Sequence, residues 1–270
     1  AVVMAVGLLA GCGKQADSGA LQEQVDNSSI QGQTDSSNSG SELSSTQNEM
    51  WDNSGENSSG NAENIDSNGS GSNSSGSGAG GLRVSGTNLI DTAGNIVQLK
   101  GVSTHGLAWF PQYVNKEAFA TLRDDWGANV VRLAMYTEEY GGYCNGGDRE
   151  ALEQLIDDGV NYATELGMYV IIDWHILSDG NPNQNKEEAK AFFAKMSSKY
   201  ADYGNVIYEI CNEPQNSDWN SQIKPYASEV VVCIRANAPD ALILVGTNNW
   251  SQDIDAVIGN KLDDENVMYV

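Results

Sequence analysis

The sequence is short of positive charge: 14 lysines and arginines stand against 37 aspartates and glutamates, for a formal net charge of -23 over 270 residues. That balance excludes nucleic acid as the partner, because binding a phosphate backbone needs cationic side chains. Histidine occurs only twice, as His105 and His175. A metal site needs three or four ligands, and no zinc-type cysteine spacing is present, so neither a metal nor any other cofactor is expected. No Gly-x-Gly-x-x-Gly or Gly-Lys-Ser/Thr element follows any apolar run, so the phosphate-binding signatures of nucleotide folds are missing. Cysteines are few, at Cys12, Cys144, Cys211 and Cys233. Leaving Cys12 aside, three is an odd number, and no disulfide is assigned.

The apolar run Ala1 to Leu9 is too short to span a bilayer as a helix. It leads into Ala10-Gly11-Cys12, an order that resembles the lipobox of bacterial lipoproteins, where the peptide before the cysteine is cleaved and the cysteine carries lipid. Residues 1–12 are therefore read as a truncated lipoprotein signal. The protein is expected to be exported, either secreted or held on the outer cell surface, with Cys12 as its one membrane attachment. Residues 13–80 are almost wholly Ser, Gly, Asn, Gln, Asp and Glu, with ten acids and only Lys14 to oppose them. Such a stretch buries too little apolar surface to offset the entropy of ordering, so a disordered acidic linker is expected there. Residues 81–270 form the folded part.

Within it, Leu82 to Val97 reads as a β-hairpin, and strands then alternate with helices. Strands begin near 99, 129, 168, 206, 242 and 267. A helix over 116–126 is capped by Asn115 and stopped by Gly127, with Phe119, Leu122 and Trp126 inward. Asp148 caps a second, ended by Gly167. A third runs over 186–200, and Pro225 opens a fourth. Repeating βα units of this size mean a parallel sheet, open or closed into a barrel. Polar or aromatic residues end every complete strand: His105, Arg132 and Tyr136, Asp173 and His175, Asn212 and Glu213, Asn249 and Trp250. In a parallel barrel those ends converge on one face, so an α/β fold of the (β/α)8 TIM barrel class is expected. Only about six strands can be counted, fewer than a complete barrel of roughly 250 residues requires.

The run Asn205 to Cys211 is a buried strand ending in Asn212-Glu213-Pro214, which holds a carboxylate at the strand end. Arg132, flanked by Val130, Val131, Leu133 and Met135, either emerges at its strand end or pairs with an acid beneath the site. Asp173-Trp174-His175 has the spacing of a metal dyad, but a histidine that donates to a sugar hydroxyl or a carboxylate suits it better. Trp109, Tyr136, Trp174, Trp219 and Trp250 fall in the segments after strands, where flat faces suit stacking on sugar rings. A polysaccharide cleft fits this set. A glycosidase needs two carboxyl groups across the scissile bond, and only one is placed.

Four motifs then come in order: Arg132 to Tyr136 (Arg-Leu-Ala-Met-Tyr), Asp173-Trp174-His175, Tyr208 to Pro214 (Tyr-Glu-Ile-Cys-Asn-Glu-Pro) and Gly246 to Asp253. With Leu99 to Leu107, they make residues 82–270 resemble glycoside hydrolase family 5, and most of all its bacterial endoglucanases. The resemblance implies a barrel that hydrolyses β-1,4-linked glucan by a retaining double displacement, without a cofactor, as a monomer. By motif, Glu213 is the general acid/base and Asn212 bonds the 2-hydroxyl of the sugar being cleaved. Arg132 holds the nucleophile ionised and His175 lines the site. His105, Trp109 and Tyr136 are sugar contacts on the glycone side, with Trp250 a platform on the leaving-group side. The family's His-x-Tyr and nucleophilic Glu are not found before Val270, and neither Glu265 nor Glu209 substitutes for that Glu. Two alternatives stay open: a β-mannanase or other β-glycanase on the same barrel, and a surface sugar-binding protein on an inactive hydrolase fold.

Overall fold

The computed structural model describes residues 79–270. Cys12 and residues 13–78 of the expected linker lie outside the described residues.

The first element is a small antiparallel sheet of three strands, β1 (Arg83–Ser85), β2 (Asn88–Ile90) and β3 (Ile96–Val97). The sequence suggested a two-stranded hairpin; the middle strand, Asn88–Ile90, pairs with both partners. The second sheet has six strands: β4 (Gly101–Ser103), β5 (Val130–Tyr136), β6 (Tyr169–His175), β7 (Val206–Glu209), β8 (Ile243–Val245) and β9 (Val267–Tyr269). All are parallel, and each pairs with its neighbour in the sequence. An open doubly wound sheet would reverse strand order at some point, whereas continuous winding is the order of a barrel.

Four helices cover the sheet: α1 (Lys116–Asp124), α2 (Arg149–Glu165), α3 (Lys186–Lys199) and α4 (Lys224–Arg235). The caps expected from sequence are formed. Asn115 accepts from the Ala118 N–H and Asp148 from the Ala151 N–H, each satisfying an orphan donor of the first turn. Gly167 ends α2 with φ at 69°, which a residue with a β-carbon resists.

Alternation along the strands sorts side chains between two cores. Val131, Leu133, Met135, Val170, Ile172, Trp174, Tyr208 and Ile243 point outward and pack on the helices, with Ile156, Phe192, Phe193, Met196 and Val230. Val130, Tyr169, Ile171, Ile207, Leu242 and Leu244 point inward, joined by Leu82, Leu89 and Leu99. The three-stranded sheet thus shares the interior core at the N-terminal ends of the barrel strands.

Three placements differ from the sequence expectation. Trp126 is 75% exposed, because α1 ends at Asp124 and helical periodicity no longer sets its direction. Trp174 and Trp219 are fully buried and offer no face to a sugar. Trp174 lies between the inward Asp173 and His175, so the two-residue period turns it out against Phe192 and Phe193. Trp219 packs edge-on to Tyr269 and donates its indole N–H to the Asn260 carbonyl at 2.9 Å.

Candidate active site

The alternation that packs the outer core aims Arg132, Asp173 and Glu209 into the interior, on the same inward face as their register neighbours Ile171 and Leu244. Register brings them together: Ala134 lies beside Asp173, and Asp173 beside Glu209. Arg132, Asp173 and Glu209 are all buried. Buried charges persist when paired and hydrogen-bonded, and these are.

Arg132 donates from Nε to Glu209 Oε2 at 2.7 Å and from Nη2 to Glu209 Oε1 at 2.8 Å, the two-pronged geometry of guanidinium and carboxylate. Nη2 also lies 2.7 Å from Asn212 Oδ1 and 2.9 Å from Asp173 Oδ2. Nη1 donates to the Ser103 hydroxyl at 3.2 Å. Burial works against the charge of Arg132, but Asp173 and Glu209 more than offset it, and Glu213 adds to their effect, so the guanidinium stays protonated. Burial pushes Glu209 above its ordinary value of 4.5; Arg132 pulls the other way and Asp173 reinforces the rise. The ion pair with a buried acid that the sequence allowed for Arg132 is therefore formed, and its partners are Glu209 and Asp173.

His175 Nδ1 sits 2.6 Å from Asp173 Oδ2. A carboxylate so close requires a hydrogen on that nitrogen, which leaves Nε2 as the acceptor of the Asn212 amide at 3.2 Å. The Asn212 side chain is oriented by the same logic. Arg132 has no acceptor, so the oxygen of the amide must face it and the NH2 group must face His175 and the Ile176 carbonyl. Asp173 was named in the sequence as a strand-end residue, as half of a possible metal dyad and within a motif, without a role of its own; here its carboxylate is engaged by His175 and Arg132. The signal for that role was its position two residues before His175 on one strand, which fixes both on the inward face.

Above this layer Tyr136 stacks on His175 at 4.9 Å between ring centroids. Its hydroxyl lies 3.3 Å from His105 Nδ1, and His105 stacks with Trp109 at 5.5 Å. Trp109 is held by its indole N–H on the Tyr140 carbonyl at 2.7 Å and keeps 43% of its surface exposed. These three sequence-selected residues, His105, Trp109 and Tyr136, form one continuous aromatic wall beside His175. Gly106 makes the wall possible, since a β-carbon there would meet the Tyr136 ring at 2.3 Å.

Glu213 follows Asn212 directly and is half-buried at the C-terminal end of β7. On its other side lies the segment after β8. Ser251 donates its hydroxyl to the Asn212 carbonyl at 3.1 Å, and the Trp250 N–H reaches the Pro214 carbonyl at 3.1 Å. Trp250 itself is half exposed. Ser251 was not selected from the sequence beyond its place in a motif. The arrangement presents a carboxyl group at the mouth, a buried cation behind it and aromatic faces on two sides.

Comparison with known proteins gives one consistent result. The family model for Cellulase (glycosyl hydrolase family 5) matches residues 90–270. "Endoglucanase A" of Butyrivibrio fibrisolvens is 51% identical over 193 residues, covering 70% of this chain and 44% of that protein. "Endoglucanase A" of Evansella cellulosilytica is 54% identical over 178 residues, covering 65% of this chain and 36% of that protein. The crystal structure of the catalytic domain of Thermobifida fusca endoglucanase Cel5A in complex with cellotetraose superposes with a TM-score of 0.63 at 41% identity, over 70% of this chain and 63% of that one. The chain thus spans less than half the length of these two curated relatives.

Proposed function

The chain belongs to glycosyl hydrolase family 5, and on that premise we propose that it carries the acid/base side of the active site of a retaining endo-β-1,4-glucanase. The observation that carries this reading is the Asn212-Glu213 pair. Asn212 is locked between Arg132 and His175, while the adjacent Glu213 stands half-buried at the mouth. The cellotetraose bound by the Thermobifida fusca enzyme supports a β-1,4-glucan as the substrate class.

In the first step the Glu213 carboxyl gives its proton to the glycosidic oxygen as the bond from that oxygen to the anomeric carbon breaks. A second carboxylate attacks the anomeric carbon from the opposite face and forms a glycosyl ester. In the second step the Glu213 carboxylate takes a proton from water, whose oxygen displaces the ester and restores the anomeric configuration. No residue of this sequence is assigned as the second carboxylate. Glu209 is unsuited because both its oxygens are committed to Arg132 inside the sheet. With substrate bound, one Asn212 amide hydrogen leaves its long bond to the Ile176 carbonyl for the sugar 2-hydroxyl, and the Nη1 hydrogen of Arg132 that does not serve Ser103 turns to the nucleophilic carboxylate. His105, Trp109 and Tyr136 hold the glycone side and Trp250 stacks on the leaving-group side.

We place the protein outside the cell, attached through lipid at Cys12, with residues 13–80 as the tether between membrane and barrel; the Leu-Ala-Gly-Cys order and the linker composition support this. The function is tested on the full-length gene product with soluble β-1,4-glucan and with β-mannan. Viscosity of the glucan should fall well before reducing ends accumulate, the mark of internal cleavage. Preference for mannan would assign the barrel to the other substrate, and no cleavage of either would leave sugar binding as its activity.

A further inference from the structure

Three consecutive residues after β8, Asn249, Trp250 and Ser251, have φ of 56°, 56° and 59°. None is glycine; Asn249 alone enters left-handed backbone readily, while Trp250 and Ser251 resist it, so a run of three persists only where its surroundings over-determine it. The turn is tied at both ends. Thr247 N–H bonds the Val270 carbonyl at 3.0 Å, and Asn248 Nδ2 reaches Asp253 Oδ2 at 2.8 Å. Strain held this firmly points to a geometric task.

The task is visible in what the turn touches. The Gly246 N–H bonds the Cys211 carbonyl at 3.2 Å, the Ser251 hydroxyl bonds the Asn212 carbonyl at 3.1 Å, and the Trp250 N–H bonds the Pro214 carbonyl at 3.1 Å. These carbonyls bracket Glu213 on both sides. The Asn212 carbonyl belongs to the peptide plane that immediately precedes Glu213, so its direction sets where the carboxyl group leaves the backbone. A right-handed turn of the same residues would reverse the direction in which successive N–H groups and side chains project.

We propose that the left-handed turn Asn249–Ser251 is a positioning device for Glu213, with the Ser251 hydroxyl as the positioning residue's working group: it fixes the peptide before Glu213 so that the carboxyl proton points at the glycosidic oxygen. This rests on the reading of Glu213 as the proton donor. The role is specific to proton delivery, so its loss depends on how badly the leaving group needs a proton.

The test uses Ser251→Ala and Ser251→Gly in the full-length enzyme, with Glu213→Gln alongside. Both Ser251 variants remove the hydroxyl; the glycine variant also relaxes the left-handed backbone. On β-1,4-glucan, kcat/KM should fall roughly ten- to hundredfold in both, as for a misplaced catalytic group. On 2,4-dinitrophenyl β-cellobioside, whose phenolate leaves without a proton, kcat/KM should stay within about twofold. Ser251→Gly should melt no lower than Ser251→Ala, so that activity and stability part company. Parallel losses on the two substrates, no loss on either, or failure of both variants to fold would overturn the proposal. If Glu213→Gln loses glucan activity while the Ser251 variants keep it, the positioning role alone falls. If Glu213→Gln keeps it, the assignment of the proton donor falls first.

Discussion

Arg132 and Glu209, 77 residues apart, are joined by two parallel hydrogen bonds of 2.7 and 2.8 Å inside the parallel sheet. They rise from strands separated by β6, whose Asp173 completes the cluster at 2.9 Å from the same guanidinium. Removing Glu209 leaves the buried guanidinium with Asp173 as its one remaining carboxylate in the cluster and two N–H groups without the acceptor they were paired with. Glu209→Ala should therefore destabilise the protein by about 3–5 kcal/mol, measured by urea unfolding. Arg132→Lys should recover little of the native arrangement, because a point charge cannot make the paired bonds to Glu209 and also hold Asn212.

The same pair gives a pH dependence with a defined sign. Burial raises Glu209 above 4.5, despite the pull of Arg132. The folded state therefore keeps a proton that the unfolded chain releases, and the contribution of Glu209 to stability falls as pH rises from 4.5 through its raised value. Glu209→Gln does not titrate. The stability of the wild type relative to this variant should decline across that window, and a flat or rising difference in unfolding free energy would contradict the assignment.

Gly246 lies where the segment after β8 crosses the backbone of the loop that carries Asn212 and Glu213. A β-carbon there would fall 2.2 Å from the Asn212 oxygen and 2.6 Å from the Cys211 oxygen, both backbone atoms that cannot rotate away. Gly246→Ala should cost about 1–3 kcal/mol of stability, as overpacking does. It should also lower turnover of glucan, because the atoms displaced belong to the residue next to Glu213. Thermal melts and steady-state kinetics on one preparation check both.

Much of this arrangement could be read before the structure. Strands β5 and β6 announce themselves as apolar runs, broken in β5 only by Arg132 and in β6 only by Asp173 and His175 near its end, and Asn115 and Asp148 sit where helix caps are required. His175, Asn212, Glu213 and Tyr136 follow from their places at strand ends. What stayed hidden depends on direction and on long-range contact. Trp174 looked available to a sugar until the alternation around Asp173 and His175 was taken into account. Trp126 sits beyond the end of α1, where the helical period no longer applies. Glu209 is a lone acid in an apolar strand, and only the inward parity it shares with Ile207 pairs it with Arg132. The left-handed turn gave little signal: Asn248 and Asn249 suit an isolated positive φ, but Trp250 and Ser251 do not announce its continuation.

The account depends most on Glu213 as the group that protonates the leaving oxygen. The direct measurement is kcat/KM of the full-length enzyme and its Glu213→Gln variant on soluble β-1,4-glucan, with matched melting temperatures to show that both are folded. The side chain keeps its size and loses its acid, so activity should drop by about 10²–10⁴-fold. A variant within about twofold of the wild type would remove Glu213 from the chemistry, since general acid catalysis cannot be lost at so small a cost.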